Sequence, residues 1–246
     1  MDPVQLLLDD ILWVVRRLPA PLRDYMLTHR QGKLFLAGGF VRDCISNAKP
    51  SDIDLFVPSK DAATAAMVEI CTAFGWDPRK SIETENAYTI PLKPTPIQII
   101  HRWTFESPEP AIESFDFTIA QAAIWTECGG WRGIASDRFY PDLAAHRLVY
   151  TSPIRQEEPG GSFLRMLKFY QRGFRITLES AGSLVARLVR DVDRGKVGDD
   201  EQAFGRVVAG LLREVDPRAN LNEDTVAFFA DLNRGDESAT AGTVED

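Results

Sequence analysis

Asp52 and Asp54, two residues apart, are the side chains whose spacing speaks most directly of chemistry. In an extended segment, residues i and i+2 share a face, so both carboxylates point the same way. Like charges held together raise each other's pKa unless a cation lies between them. Hard oxygen ligands with room for phosphate favour Mg²⁺, with Mn²⁺ as the alternative. Two such ions can clamp the attacking and leaving oxygens of a phosphoryl or nucleotidyl transfer. Upstream, Gly38-Gly39-Phe40-Val41-Arg42-Asp43 joins a short apolar run to a helical stretch. Glycines at a strand-to-helix turn let the backbone approach a ligand, and the N–H groups there suit a triphosphate. Arg42, in the first helical turn, can add a charged contact to phosphate. A glycine pair alone is an ordinary turn, and an Asp-x-Asp alone an ordinary strand end. Their succession along one chain is the informative feature.

The surrounding pattern supplies elements to position these groups. Asp2 and Pro3 suit a helix start, and Leu6, Leu7, Ile11, Leu12, Val15 and Leu18 follow at helical spacing. Pro19 and Pro21 break it, and a second short helix is expected over Leu22–His29. Lys33–Leu36 and Ile53–Val57 read as strands, with a helix over Phe40–Ser46 between them. Ser59 caps an expected helix from Lys60 to Phe74, stopped by Gly75. Ala87–Leu92 and Ile97–Trp103 read as strands joined by Pro94-Thr95-Pro96. Glu109–Ser114 reads as a helical turn, and Phe115–Ile124 as an extended apolar run. Beyond Tyr150, helices are expected over Ser162–Gly173, Leu178–Arg194, Asp200–Glu214 and Glu223–Asn233.

This pattern gives an α+β fold: a mixed sheet flanked by helices, followed by a small all-helical part. The expected organisation is N-terminal helices over 1–30 packing on the core and a catalytic domain over 31–150. A helical domain follows over 151–233, then a disordered acidic tail over 234–246.

The chain has 246 residues, 44% apolar and 26% charged, enough to bury a sizeable core. Its net charge of −8 argues against a generally basic nucleic-acid coat. The charge is uneven: the stretch from Thr151 to Arg190 carries a balance of +4, that from Asp231 to Asp246 one of −4. Three cysteines, Cys44, Cys71 and Cys128, without a C-x-x-C pair suggest neither a disulfide framework nor structural zinc, and buried thiols in a reducing compartment are expected. No apolar window reaches a membrane span and the N-terminus lacks a secretory pattern, so a cytoplasmic location without membrane contact is expected. His29, His101 and His146 adjoin no recognisable nucleophile and read as structural.

The stretch Gly38–Asp43, eight residues and then Asp52-Ile53-Asp54-Leu55 resembles the signature of the nucleotidyltransferase superfamily of DNA polymerase β type. More narrowly, it is similar to the head domain of bacterial poly(A) polymerases and CCA-adding tRNA nucleotidyltransferases, over Phe35 to Val57. Ser114-Phe115-Asp116-Phe117-Thr118-Ile119 resembles the family's Arg-Arg-Asp-Phe-Thr-Ile-Asn segment. Asp142-Leu143 and then Ser162–Ile176 resemble the start of the neck, with Arg165, Lys168, Arg172 and Arg175 as basic residues.

The resemblance implies Mg²⁺-dependent transfer of a nucleoside monophosphate from an NTP to a hydroxyl, with release of pyrophosphate. Asp52, Asp54 and Asp116 would be the catalytic and metal-binding carboxylates. Gly38, Gly39, Arg42, Asp43 and Arg165 would bind the nucleotide, with Asp43 pairing to Arg42 as the alternative. Lys168 and Arg172 would contact acceptor or phosphate. An RNA 3′ end, tRNA-like by resemblance, is the expected acceptor.

Departures qualify that expectation. Ser114 and Phe115 replace the paired arginines, Ala120 replaces the Asn with Gln121 adjacent, and Gly161-Ser162 replace a Glu-Asp pair that reads base edges in the family. The stretch after the head is also short. Two further readings stay open: the same chemistry on a protein, small molecule or oligonucleotide signal (toxin, resistance or phage-defence type), or a domain that binds nucleotide or a partner without catalysis.

Overall fold

Alternating burial along short strands builds one mixed sheet whose two faces carry different partners. The computed structural model describes residues 2–29, 33–151, 160–190, 192–198 and 200–215. In chain order the elements begin β1 (Val4–Gln5), α1 (Leu8–Arg17), α2 (Ala20–His29), β2 (Phe35–Ala37), α3 (Gly39–Ile45), β3 (Ile53–Phe56) and α4 (Lys60–Ala73). They continue β4 (Ile82–Glu83), β5 (Ala87–Ile90), β6 (Ile97–Ile100), α5 (Pro108–Glu113), β7 (Ala122–Glu127), β8 (Gly130–Ala135), α6 (Phe139–Ala144) and β9 (Arg147–Leu148). The helical part holds α7 (Gly160–Gln171), β10 (Arg175–Ile176), α8 (Leu178–Val189), α9 (Arg194–Val197) and α10 (Glu201–Val215).

Eight strands run in the order β1-β8-β7-β2-β3-β6-β5-β4. Only β3 and β6 pair in parallel; the remaining pairs of this sheet are antiparallel. Leu36, Ile53, Leu55, Ile97, Ile99 and Ile124 form the core beneath α1 to α4. Residues of opposite parity, including Phe35, Phe56, Ile100 and Ala123, form a second cluster with Ala111 and Ile112 of α5. The α+β class expected from the alternation is the observed one.

Local differences have local causes. The chain does not begin its helix at Pro3: Val4 and Gln5 pair with Ala135 and Ile134, and α1 starts at Leu8. The apolar run Phe115–Ile124 is not one extended segment. A 3-10 turn at Thr118–Ala120 breaks it, and the strand begins at Ala122. β8 escaped the pattern because its start is glycine and tryptophan. Cys128 and Gly129, both at positive φ (50° and 74°), form the two-residue hairpin that creates it. Cys128 is therefore exposed, whereas Cys44 and Cys71 are buried as expected. The helix expected through Arg194 ends at Val189. The segments Glu223–Asn233 and 234–246 lie outside the described residues.

The chain divides into two compact units, Met1–Arg155 with Met166–Leu184, and Gln156–Arg165 with Val185–Asp246. The boundary passes through α7 and α8. In the first unit β10 pairs in parallel with β9, and Ser180 Oγ accepts the Tyr150 N–H at 3.0 Å. In the second, Asp200 Oδ1 accepts the N–H groups of Gln202 and Ala203, capping α10.

Asp142, in α6, is fully buried and ties the 3-10 turn in place. It accepts bonds from Thr118 Oγ1 (2.7 Å), Arg138 Nη2 (3.0 Å) and Arg147 Nε (2.7 Å). Burial pushes its carboxyl up, but bonds from Arg138, Thr118 and Arg147 together hold it below the ordinary carboxylate range. Asp142→Ala leaves a buried hydroxyl and two cations without their acceptor. We expect a loss of about 3 kcal/mol in chemical denaturation. A loss under about 1 kcal/mol would contradict this anchoring role.

Candidate functional site

The register of β2 against β3 brings the two chemical motifs together. Phe35 pairs with Phe56 and Leu36 with Leu55, so the end of β2 lies beside the start of β3. The Gly38-Gly39 turn leaves β2 at this point, and Asp52 and Asp54 enter here.

Asp54 lies between Ile53 and Leu55, both fully buried in the first core, and takes the parity of Phe56 in the second. It is partly buried, and its carboxylate makes no side-chain hydrogen bond among the described residues. Burial pushes its carboxyl up; Asp52 pushes it further, and Arg42 opposes both. Asp52, just before the strand, accepts from Ser51 Oγ at 2.9 Å. Asp54 is thus an oxygen donor whose ionisation burial and the neighbouring Asp52 carboxylate oppose, with that second carboxylate two residues away. That donor set fits a divalent cation.

Gly38 holds φ +82° and ψ −129°, a backbone state open to glycine. A Cβ there would meet the Phe115 ring at 3.2 and 3.3 Å. Phe115 therefore covers the glycine turn where the family's arginine falls. It also meets Phe56 edge-on, with ring centroids 5.8 Å apart. Gln121, adjacent to the missing Asn position, is fully buried. Its Nε2 donates to the Phe115 carbonyl at 3.2 Å, so it braces this loop.

Arg42 is 5% exposed and paired with Asp43 at 2.7 Å. Its guanidinium lies 4.7 Å from the Phe169 ring centroid and against Gly39, whose Cβ position is 3.5 Å from Nη2. Burial lowers the Arg42 pKa, and the Asp43 carboxylate counters that. Asp43 also faces Arg172 Nη1 at 3.6 Å. Arg42 is a charge behind the glycine turn, and Asp43 is a clamp for two arginines.

The other expected site residues scatter more. Asp116 is 3% exposed and precedes the Phe117–Tyr150 bridge; its carbonyl accepts the Thr151 N–H at 2.9 Å. Among the described residues, no three His, Cys, Asp or Glu side chains are arranged to hold a metal, so Asp116 does not form a triad with Asp52 and Asp54. Lys168 and Arg175 are exposed. Arg165 belongs to the second unit. Ser162 is 1% exposed. His101 is buried, with its ring centroid 4.7 Å from that of Tyr88, and the His146 ring is tilted against Phe174 at 5.1 Å. No helix among the described residues is long and apolar enough to cross a membrane.

Sequence reading missed the Asp43–Arg172 contact, which only tertiary packing creates. It also passed over Gln98, a polar residue in the apolar strand Ile97–Ile100, although that interruption is visible in the sequence.

A family profile described as Gabija anti-defense 2 family protein (Gad2) matches residues 14–145, more than half of the chain. The chain belongs to the Gad2 family. No curated protein is significantly similar to it. Among solved structures, this Gad2-family chain is similar to the Thermotoga maritima CCA-adding enzyme complexed with tRNA. That match has a TM-score of 0.57 and 19% identity, over 100% of this chain and 64% of the other. It is also similar to a CCA-adding enzyme with CTP (0.57, 19%, over 96% and 54%). A third match is a CCA-adding enzyme with ATP (0.55, 19%, over 95% and 55%). At this identity the likeness is one of fold, which is that of nucleotidyltransferase head domains. The Gad2-family chain spans less than two-thirds of the length of each.

The electrostatics of Asp54 give a test. Its folded-state pKa lies above its unfolded one, so the fold favours the protonated form. Stability from this group is complete below the ordinary carboxylate range and is lost as pH rises through the raised value. Without divalent ions, thermal stability should fall between about pH 5 and about pH 8 by at least about 1 kcal/mol more than in Asp54→Asn. Mg²⁺ together with a non-hydrolysable NTP should restore more stability at the higher pH. Parallel pH profiles for the two proteins would contradict this assignment.

Proposed function

We propose that this chain is a divalent-cation-dependent nucleotidyltransferase that moves a nucleoside monophosphate from an NTP to a hydroxyl, releasing pyrophosphate. The observation that carries the proposal is the Asp52/Asp54 pair beside the Gly38-Gly39 turn, with the ionisation of Asp54 opposed by burial and by Asp52. Asp52 and Asp54 hold the cation, Mg²⁺ or Mn²⁺. When bound, that cation neutralises the carboxylates and polarises phosphoryl oxygens. The backbone at Gly38 and Gly39 receives the terminal phosphates, with the Arg42 charge behind it. Asp43 keeps Arg42 in place. Asp116 is the remaining acid in this reading, on the loop that Gln121 and Thr118 fix. Lys168 and Arg172 supply contacts to phosphate or acceptor.

Two observations bear on the acceptor. An RNA 3′ end accords with the fold of enzymes solved with tRNA, CTP and ATP. Family membership and the Gly161-Ser162 replacement favour another target, a protein or nucleic-acid component of the Gabija system. We adopt that target, in line with the phage-defence alternative. Modification of such a component would be the means by which the chain counters defence.

Incubation with Mg²⁺ and each labelled NTP tests this, with total tRNA, an RNA oligonucleotide or purified Gabija components as acceptor. Label should appear on a Gabija component and fall to background with Asp52→Ala/Asp54→Ala. Label on tRNA or RNA would return the acceptor to an RNA end. NTP binding without label on any acceptor would overturn the catalytic reading and leave a nucleotide-binding protein.

A further inference from the structure

The sheet register places one polar row beside the carboxylate pair. Asp54 on β3 pairs with Gln98 on the parallel strand β6, and Gln98 pairs with Thr89 on β5. The three share one face, because their neighbours Ile53, Leu55, Ile97, Ile99, Tyr88 and Ile90 all pack in the first core. The next row on the same face, Phe56, Ile100 and Ala87, is apolar and belongs to the second core. The row Asp54–Gln98–Thr89 is therefore where the polar end of the face gives way to its packed end.

All three polar residues are partly buried, and none makes a side-chain hydrogen bond among the described residues. Partly buried polar groups without partners are costly unless water or a ligand satisfies them. On the other side of β3, β2 ends at Ala37, which offers no donor. The side chain placed to share a ligand with Asp54 is thus the Gln98 amide. Its carbonyl oxygen is a hard donor, as a carboxylate oxygen is, but it brings no charge. Cation affinity in oxygen sites rises with the number of charged ligands.

Resting on the nucleotidyltransferase reading above, we infer that Gln98 is the third, neutral oxygen ligand of the Asp52/Asp54 site. Its neutrality makes the site take a divalent cation together with a nucleoside triphosphate rather than alone. The triphosphate oxygens supply the negative charge that a third carboxylate would have supplied. Loading of cation and nucleotide is thereby coupled, and the apo protein stays largely free of metal.

Mn²⁺ binding to the full chain, followed by the electron paramagnetic resonance signal of free Mn²⁺, reads this directly. The titration is run with and without a non-hydrolysable ATP analogue. Wild type should bind Mn²⁺ weakly alone and at least about tenfold more tightly with the analogue. Gln98→Glu should bind Mn²⁺ alone at least about tenfold more tightly than wild type, and so lose most of the dependence on the analogue. Gln98→Leu, close in size and without the oxygen, should weaken binding with the analogue and retain the wild-type circular dichroism spectrum.

If neither variant shifts Mn²⁺ affinity while Asp54→Asn abolishes binding, the inference about Gln98 is overturned and the nucleotidyltransferase reading stands. If wild-type binding is indifferent to Asp54→Asn, that reading fails, and the inference with it. If Gln98→Glu does not fold, the Gln98→Leu titration alone decides.

Discussion

Repulsion between two carboxylates on one sheet face is the constraint around which the site is organised. Residues i and i+2 on a strand lie about 7 Å apart. At an effective dielectric of about 20, two unit charges at that distance repel by on the order of 2 kcal/mol. Burial adds to the cost for Asp54, and Arg42 offsets part of it. Arg42 cannot offset all of it, because its charge is engaged by Asp43 at 2.7 Å. What remains is a site of uncompensated negative charge. The strand order makes this possible: β3 sits between β2, which delivers the glycine turn, and β6, which delivers Gln98.

The scaffold around the pair is stiffened by buried charge networks. Asp43 joins α3 to Arg172, just past the end of α7, while Phe169 of α7 walls the Arg42 guanidinium and meets Phe117 edge-on at 5.5 Å. Asp142 fixes Thr118, and Gln121 fixes the Phe115 carbonyl, so the loop carrying Asp116 is held from both ends. The consequence for chemistry lies at Phe115. An aromatic ring now covers Gly38, the place where the resemblance leads one to expect an arginine. A ring brings packing and a stacking surface but no charge for phosphate or sugar.

Much of the fold was legible in the sequence, because the cues were local. Ser59 caps α4 through the Ala62 N–H, as its position before an amphipathic run implied. The Asp-x-Asp strand kept its alternation, with Ile53 and Leu55 inward. What failed to show depended on partners distant along the chain. β1 exists because β8 offers an edge, and the bend at Thr118 exists because Asp142 accepts its hydroxyl. The Asp-x-Asp motif and the glycine turn could be read, but not which residue stands across from Asp54. That depends on a parallel register no local pattern encodes. The choice of Asp116 as third carboxylate came from its place in a motif; the described residues form no such triad.

Asp52 and Asp54, with the Gly38-Gly39 turn, are proposed above as one cation-dependent triphosphate site. The most direct test is anomalous diffraction from crystals of the full chain with Mn²⁺ and a non-hydrolysable NTP. An anomalous peak is expected between the Asp52 and Asp54 carboxylates, with the triphosphate density against Gly38 and Gly39. A manganese peak remote from both aspartates, or a triphosphate bound away from the glycine turn, would contradict it.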